Sequence, residues 1–186
     1  MSEHSFFKFR IYFAFFVAIA IGSLLVWNYT HGGVPSHHIL ADESLPQVSN
    51  WWGALLLPLL TWFLTYRIQR RISQSREKEE ISRQIINTVL GFVAALTFGV
   101  LLSVFFRLGY NDMTGNMMLI IFPLALFVPL YRSEYLLGFV IGMTYTFGAV
   151  LPTGIGSILV LITAAIHLYI RSFILYVISL LRTQTQ

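Results

Sequence analysis

The chain has 186 residues, 56% of them hydrophobic and 11% charged, with a net charge of +4 and a mean hydropathy of +0.73. Soluble domains carry about 25% charged residues, so an ordinary soluble fold is excluded, and a disordered chain is excluded by the high hydrophobicity. With no Cys, disulfides, thiolate metal sites and Cys nucleophiles are excluded as well. The composition is that of an integral membrane protein.

A spanning helix needs about 20 mostly apolar residues. Six stretches meet or approach that length: 11–27, 51–66, 85–106, 115–131, 135–151 and 155–181. The first follows Lys8 and Arg10. It is longer than a signal-peptide core and no clean small-x-small cleavage site follows it, so it reads as a retained helix. The expected fold is an all-α integral membrane protein, a bundle of six transmembrane helices forming one membrane domain over 1–186.

Lys and Arg set the orientation. Lys8, Arg10, Arg67, Arg70, Arg71, Arg76, Lys78, Arg83, Arg132 and Arg182 fall on one side, against Arg107 alone on the other. The positive-inside rule then places both termini in the cytoplasm and favours a bacterial inner membrane. Trp27, Trp51 and Trp52 fall at the expected outer interface, with Trp62 and Tyr66 towards the inner one.

The first outer loop, 28–50, holds His31, His37, His38, Asp42 and Asn50. Gly32, Gly33 and Pro35 bring turns that would fold His31 back towards the other two histidines. Imidazole nitrogens with a carboxylate form the ligand set of catalytic zinc sites, so His31, His37, His38 and Asp42 are the candidate ligands of a divalent metal such as zinc. His37, His38 and Asp42 are also the candidate catalytic groups, through a metal-bound hydroxide or through histidine proton transfer. The spacing matches no H-E-x-x-H signature. Adjacent histidines on a strand point to opposite faces, which opposes joint ligation. A Ser36–His37 nucleophile lacks the G-x-S-x-G elbow, and no Gly-x-Ser-Gly nucleophile of an intramembrane serine protease is present. The Asn28-Tyr29-Thr30 sequon lies against the membrane and reads as incidental.

The connection 67–84 lacks Gly and Pro and is rich in helix formers, predicting a cytoplasmic helical hairpin with a turn near 73–75. Its Arg67, Arg70 and Arg71 read first as residues snorkelling to lipid phosphates, and second as a docking surface for a cytoplasmic or membrane protein partner. No base-reading pattern accompanies them, so nucleic acid is not an expected partner.

Arg107, Asn111 and Asp112 in the third connection are candidate substrate-binding residues with His31, Asn50 and His167. Arg107 and Asp112 are expected either to close their own loop or to face the histidine loop. A Leu-Pro-Thr-Gly turn is expected at 151–154. His167 and Arg171 are spaced i,i+4 in the last span, with Arg171 placed to snorkel and to leave an interfacial helix over 172–181. Pro123 and Pro129 are positioned to free helix carbonyls, and Gly138-x-x-x-Gly142 predicts close helix packing.

Three functions follow as expectations: capture or transport of a small molecule or ion, a metal-dependent hydrolase or transferase acting on a lipid-like substrate, or assembly of a membrane complex. Six spans, inside termini and a long first outer loop are similar in layout to the substrate-binding subunits of energy-coupling-factor vitamin importers. That resemblance is architectural and implies small-molecule capture.

Overall fold

The computed structural model describes residues 3–33, 36–38, 47–75 and 77–183. Its elements are α1 (Glu3–Thr30), β1 (Ser36–His38), β2 (Gln47–Ser49), a 3-10 turn (Asn50–Trp52), α2 (Gly53–Ser73), α3 (Lys78–Arg107), α4 (Asn111–Phe127), α5 (Ser133–Phe147), α6 (Val150–Ala165), a π segment (Ile166–Ile170) and α7 (Arg171–Thr183). The protein is overwhelmingly helical. Among the described residues, three stretches are long and apolar enough to cross a membrane: His4–Thr30, Lys78–Arg107 and Val150–Leu181.

Contacts at both ends show that α1, α3 and α5 run in one direction and α2 in the other. At one end Tyr29 meets Trp51, and Phe106 meets Phe147. At the other Phe7 meets Trp62, and Arg71 meets Glu134. The apolar surface faces outward as well as inward: Tyr12, Phe15 and Phe16 on α1 are each more than 60% exposed. Exposed apolar area on this scale belongs in lipid.

Each interior face follows helical spacing. Arg10, Val17, Ile21 and Leu25 line the buried side of α1 against Leu57, Thr61, Leu64 and Thr65 of α2. The buried hydroxyls of α2 are satisfied within the helix, Thr61 donating to the Leu57 carbonyl at 2.8 Å and Thr65 to the Thr61 carbonyl at 2.6 Å. In an apolar surrounding this local bond removes the cost of a bare hydroxyl.

The shortest of these six helices, α5, is the central one. Glu134, Leu137, Gly138, Val140, Gly142 and Thr144 are among its buried residues. It packs most closely on α3, because small residues meet there. A Cβ on Gly138 would run into the Phe92 carbonyl oxygen and lie 2.9 Å from the Leu96 nitrogen. A Cβ on Gly142 would meet the Leu96 carbonyl oxygen at 2.5 Å, and one on Gly99 the Phe139 carbonyl oxygen at 2.8 Å. The predicted glycine pair is thus a seam of backbone against backbone. Without a hydrophobic drive inside lipid, such close packing is what holds helices together.

Several boundaries differ from the sequence expectations. The hairpin turn falls near Ser73–Ser75 as expected, with the Ser75 amide donating to the Ile72 carbonyl at 3.2 Å. The turn expected at 151–154 is instead at Gly148, which adopts φ 70°. Pro152 sits in the first turn of α6, where its missing N–H costs no helix bond. The chain then runs from α6 through the π segment into α7 as one continuous helical rod. Through Leu181, the α7 side chains are exposed.

Candidate ligand cavity

A cavity of about 610 Å³ lies among α3, α4, α5 and α6. Ligand pockets span roughly 300–1,000 Å³, which includes it. Its wall is largely apolar. From α3 come Leu90, Gly91, Ala94, Ala95 and Phe98; from α4, Ile120, Ile121 and Leu124; from α6, Gly156, Leu159, Val160 and Thr163. Small residues on α3 and α6 supply the room. Phe139 and Thr163 on the floor are almost fully buried, whereas Leu90 and Ile120 are 61% and 60% exposed. The cavity is therefore open between α3 and α4, on the face the outward apolar side chains share.

Loose seating of α4 creates that opening. Met117 and Met118 pack against the core near its start, and Ala125 is its one fully buried residue. Between these two holds, Ile120, Ile121 and Leu124 line the cavity instead of a neighbouring helix. The second hold has a chemical cause. Helix α4 ends at Phe127 and Val128 is extended, with proline following at 129, so no helix N–H reaches the carbonyl of residue 125. His167 Nδ1 donates to that Ala125 oxygen at 2.8 Å from the π segment, and its ring lies 5.6 Å from Tyr131. A π segment is rare and here it aims one side chain at one orphan carbonyl.

The polar end of the cavity is formed by Asn87, Arg132, Glu134 and Tyr135. Glu134 is 1% exposed. Its two oxygens accept from Arg71, Nη1 to Oε2 at 3.1 Å and Nη2 to Oε1 at 2.9 Å, and Nη2 also donates to Thr88 Oγ1 at 2.8 Å. This clamp ties the end of α2 to α3 and α5. It is the only ion pair among the described residues. Of the expected snorkelling trio, Arg67 and Arg70 are exposed, while Arg71 turns inward because a buried carboxylate stands opposite it.

A second cation is also buried at this end. Arg10 lies 4.0 Å from the Trp62 ring centroid and 5.0 Å from that of Tyr66, and donates to Gln69 Oε1 at 3.2 Å. The two aromatic faces stand in for a counter-ion.

Among the described residues, none of the candidate site residues read from the sequence lines the cavity. His31 stacks on Trp27 with ring centroids 3.9 Å apart, its Nδ1 lying 3.0 Å from the Trp27 carbonyl oxygen and 3.0 Å from Thr30 Oγ1. It folds back along α1. His37 and His38 stand on β1, paired in register with Val48 and Gln47. Their side chains, like Asp42, Pro35 and Arg76, lie outside the described residues. Among the described residues no group of three His, Cys, Asp or Glu could hold a metal ion. Asn50 is buried and fills the space beside Gly148 at the α5–α6 junction. Arg107 lies 5.6 Å over the Tyr145 ring and is not paired with Asp112. Asn111 and Asp112 are exposed in the first turn of α4.

The sequence reading took Arg132 and Arg71 as topology signals and passed over Glu134. One signal was available: Glu134 is the only carboxylate after Asp112, at the head of an apolar helix. No family model matches the chain, and neither does any curated protein or solved structure.

Proposed function

We propose that the chain is a six-span inner-membrane protein, with both termini cytoplasmic, that captures one small apolar or amphiphilic molecule from the bilayer in the cavity among α3 to α6. The observation that carries this reading is the cavity itself: ligand-sized, apolar, polar at one end, and open between α3 and α4. The basic connections lie at the same end as Arg71, Glu134 and Arg132, so the positive-inside rule puts the polar mouth at the cytoplasmic leaflet. Helix α5, with 15 residues, reaches about 22 Å, and the bilayer accommodates such a short span by local thinning.

The test is native mass spectrometry of the protein extracted in mild detergent, beside Ala94→Phe. Ala94 lines the cavity but stands outside the glycine seam, so the phenyl ring fills space without separating α3 from α5. The reading predicts about one retained non-protein mass in the wild type and its loss in the variant, as a single ligand site requires. Identical, easily stripped lipid adducts in both would contradict it.

A further inference from the structure

The charges at the inner mouth decide which head an amphiphile in the cavity presents. Three ionised side chains stand there. Arg71 and Glu134 neutralise each other through two short bonds. Arg132, on the turn leading into α5, lines the cavity and has no side-chain hydrogen bond or ion pair to any described residue. One positive charge is left uncompensated. The next carboxylate along α3, Glu80, is seven residues before Asn87, about 10 Å along the axis. Asp112 is at the opposite end of α4. Asn87 and Tyr135 add an amide and a hydroxyl at the same mouth.

We propose that the cavity holds a single-chain amphiphile with an anionic head, a carboxylate or a phosphate bound by Arg132 with Asn87 and Tyr135 beside it. The chain runs past Ala94 and Ile121 towards Phe98. This inference rests on the capture reading above. The guanidinium fork matches both oxyanions in a bidentate geometry, and an apolar surrounding strengthens the pairing. A cationic head would meet Arg132 as a like charge, and a neutral head would leave the guanidinium unmatched.

The experiment uses full-length protein in neutral mixed micelles containing oleate, lysophosphatidate or monoolein at equal mole fraction, with retained adducts counted by native mass spectrometry. Oleate, lysophosphatidate or both should be retained about tenfold more than neutral monoolein, the size expected of a hydrogen bond to a charged group. Retention of oleate alone assigns a carboxylate, of lysophosphatidate alone a phosphate, and of both the oxyanion class. Arg132→Gln should abolish the preference while keeping its monoolein adduct, which shows that the variant is folded with its cavity intact. Arg132→Lys, which keeps the charge but not the fork, should retain only part of the preference. Equal retention of charged and neutral amphiphiles by the wild type would overturn the anionic head and leave capture standing. Absence of any adduct would overturn capture, and this inference with it.

Discussion

Arg71 and Glu134, 63 positions apart, form a bidentate ion pair where the end of α2 meets the start of α5, with the carboxylate almost wholly removed from solvent. Removing one partner of such a pair leaves an uncompensated charge in an apolar surrounding, at a cost of ~3–5 kcal/mol. Replacing both with apolar residues of similar volume is often neutral. Arg71→Met, which strands the buried Glu134 carboxylate, should therefore lower the unfolding midpoint in detergent severely, and adding Glu134→Leu should recover most of the loss. A double variant whose loss equals the sum of the Arg71→Met and Glu134→Leu losses would show that the pair has no energetic coupling.

The α3–α5 seam makes a sharper prediction. The atoms that a Cβ on Gly138 would meet are the backbone of Phe92 and Leu96, which cannot rotate away. Gly138→Val should cost about 1–3 kcal/mol, as overpacking does. Gly22 has nothing within 4 Å of its Cβ position, and Gly22→Val should change the midpoint little. Thermal unfolding of the two variants side by side checks this.

His167 seats the C-terminal end of α4 through the Ala125 carbonyl. His167→Phe keeps a ring but removes the donor, leaving a buried acceptor unmatched at a cost of ~1–3 kcal/mol. Hydrogen exchange should speed up in the last turns of α4 and remain unchanged in α1. Unchanged protection across 121–127 would mean that apolar packing alone holds the helix.

The seating of the segment before α2 should depend on Gly148. Its φ of 70° with ψ near −178° is a glycine conformation, and Asn50 occupies the space a Cβ would need. Gly148→Ala should expel Asn50 and make the segment around Ser49–Trp51 readily cleaved by added protease. Cavity binding, at the opposite end, should persist.

Much of the fold was legible because membrane burial is a compositional property. The apolar runs, the basic connections and the Gly138–Gly142 pair each carry their own physical signature, and the hairpin turn near Ser73–Ser75 followed from a stretch of helix formers. The Gly148 turn was not legible. Leu151-Pro152-Thr153-Gly154 resembles a turn in isolation, but proline is equally at home in a first helical turn, and only the packing of Asn50 against Gly148 selects between them. The cavity was hidden for a similar reason. Its wall consists of ordinary apolar residues contributed by four helices, and the Arg71–Glu134 clamp joins positions whose proximity no local pattern encodes. The histidine loop drew attention because polar residues stand out in an apolar sequence.

Photo-crosslinking is the most direct test of the central claim. Full-length protein in neutral micelles would be irradiated with palmitate carrying a mid-chain diazirine, and the labelled peptides mapped. Capture in the cavity predicts labels concentrated in 94–98 and 120–124, displaced by excess oleate and absent from Ala94→Phe. Labels spread over the outward face of α1 around Phe15 and Phe16, indifferent to oleate and to Ala94→Phe, would contradict it.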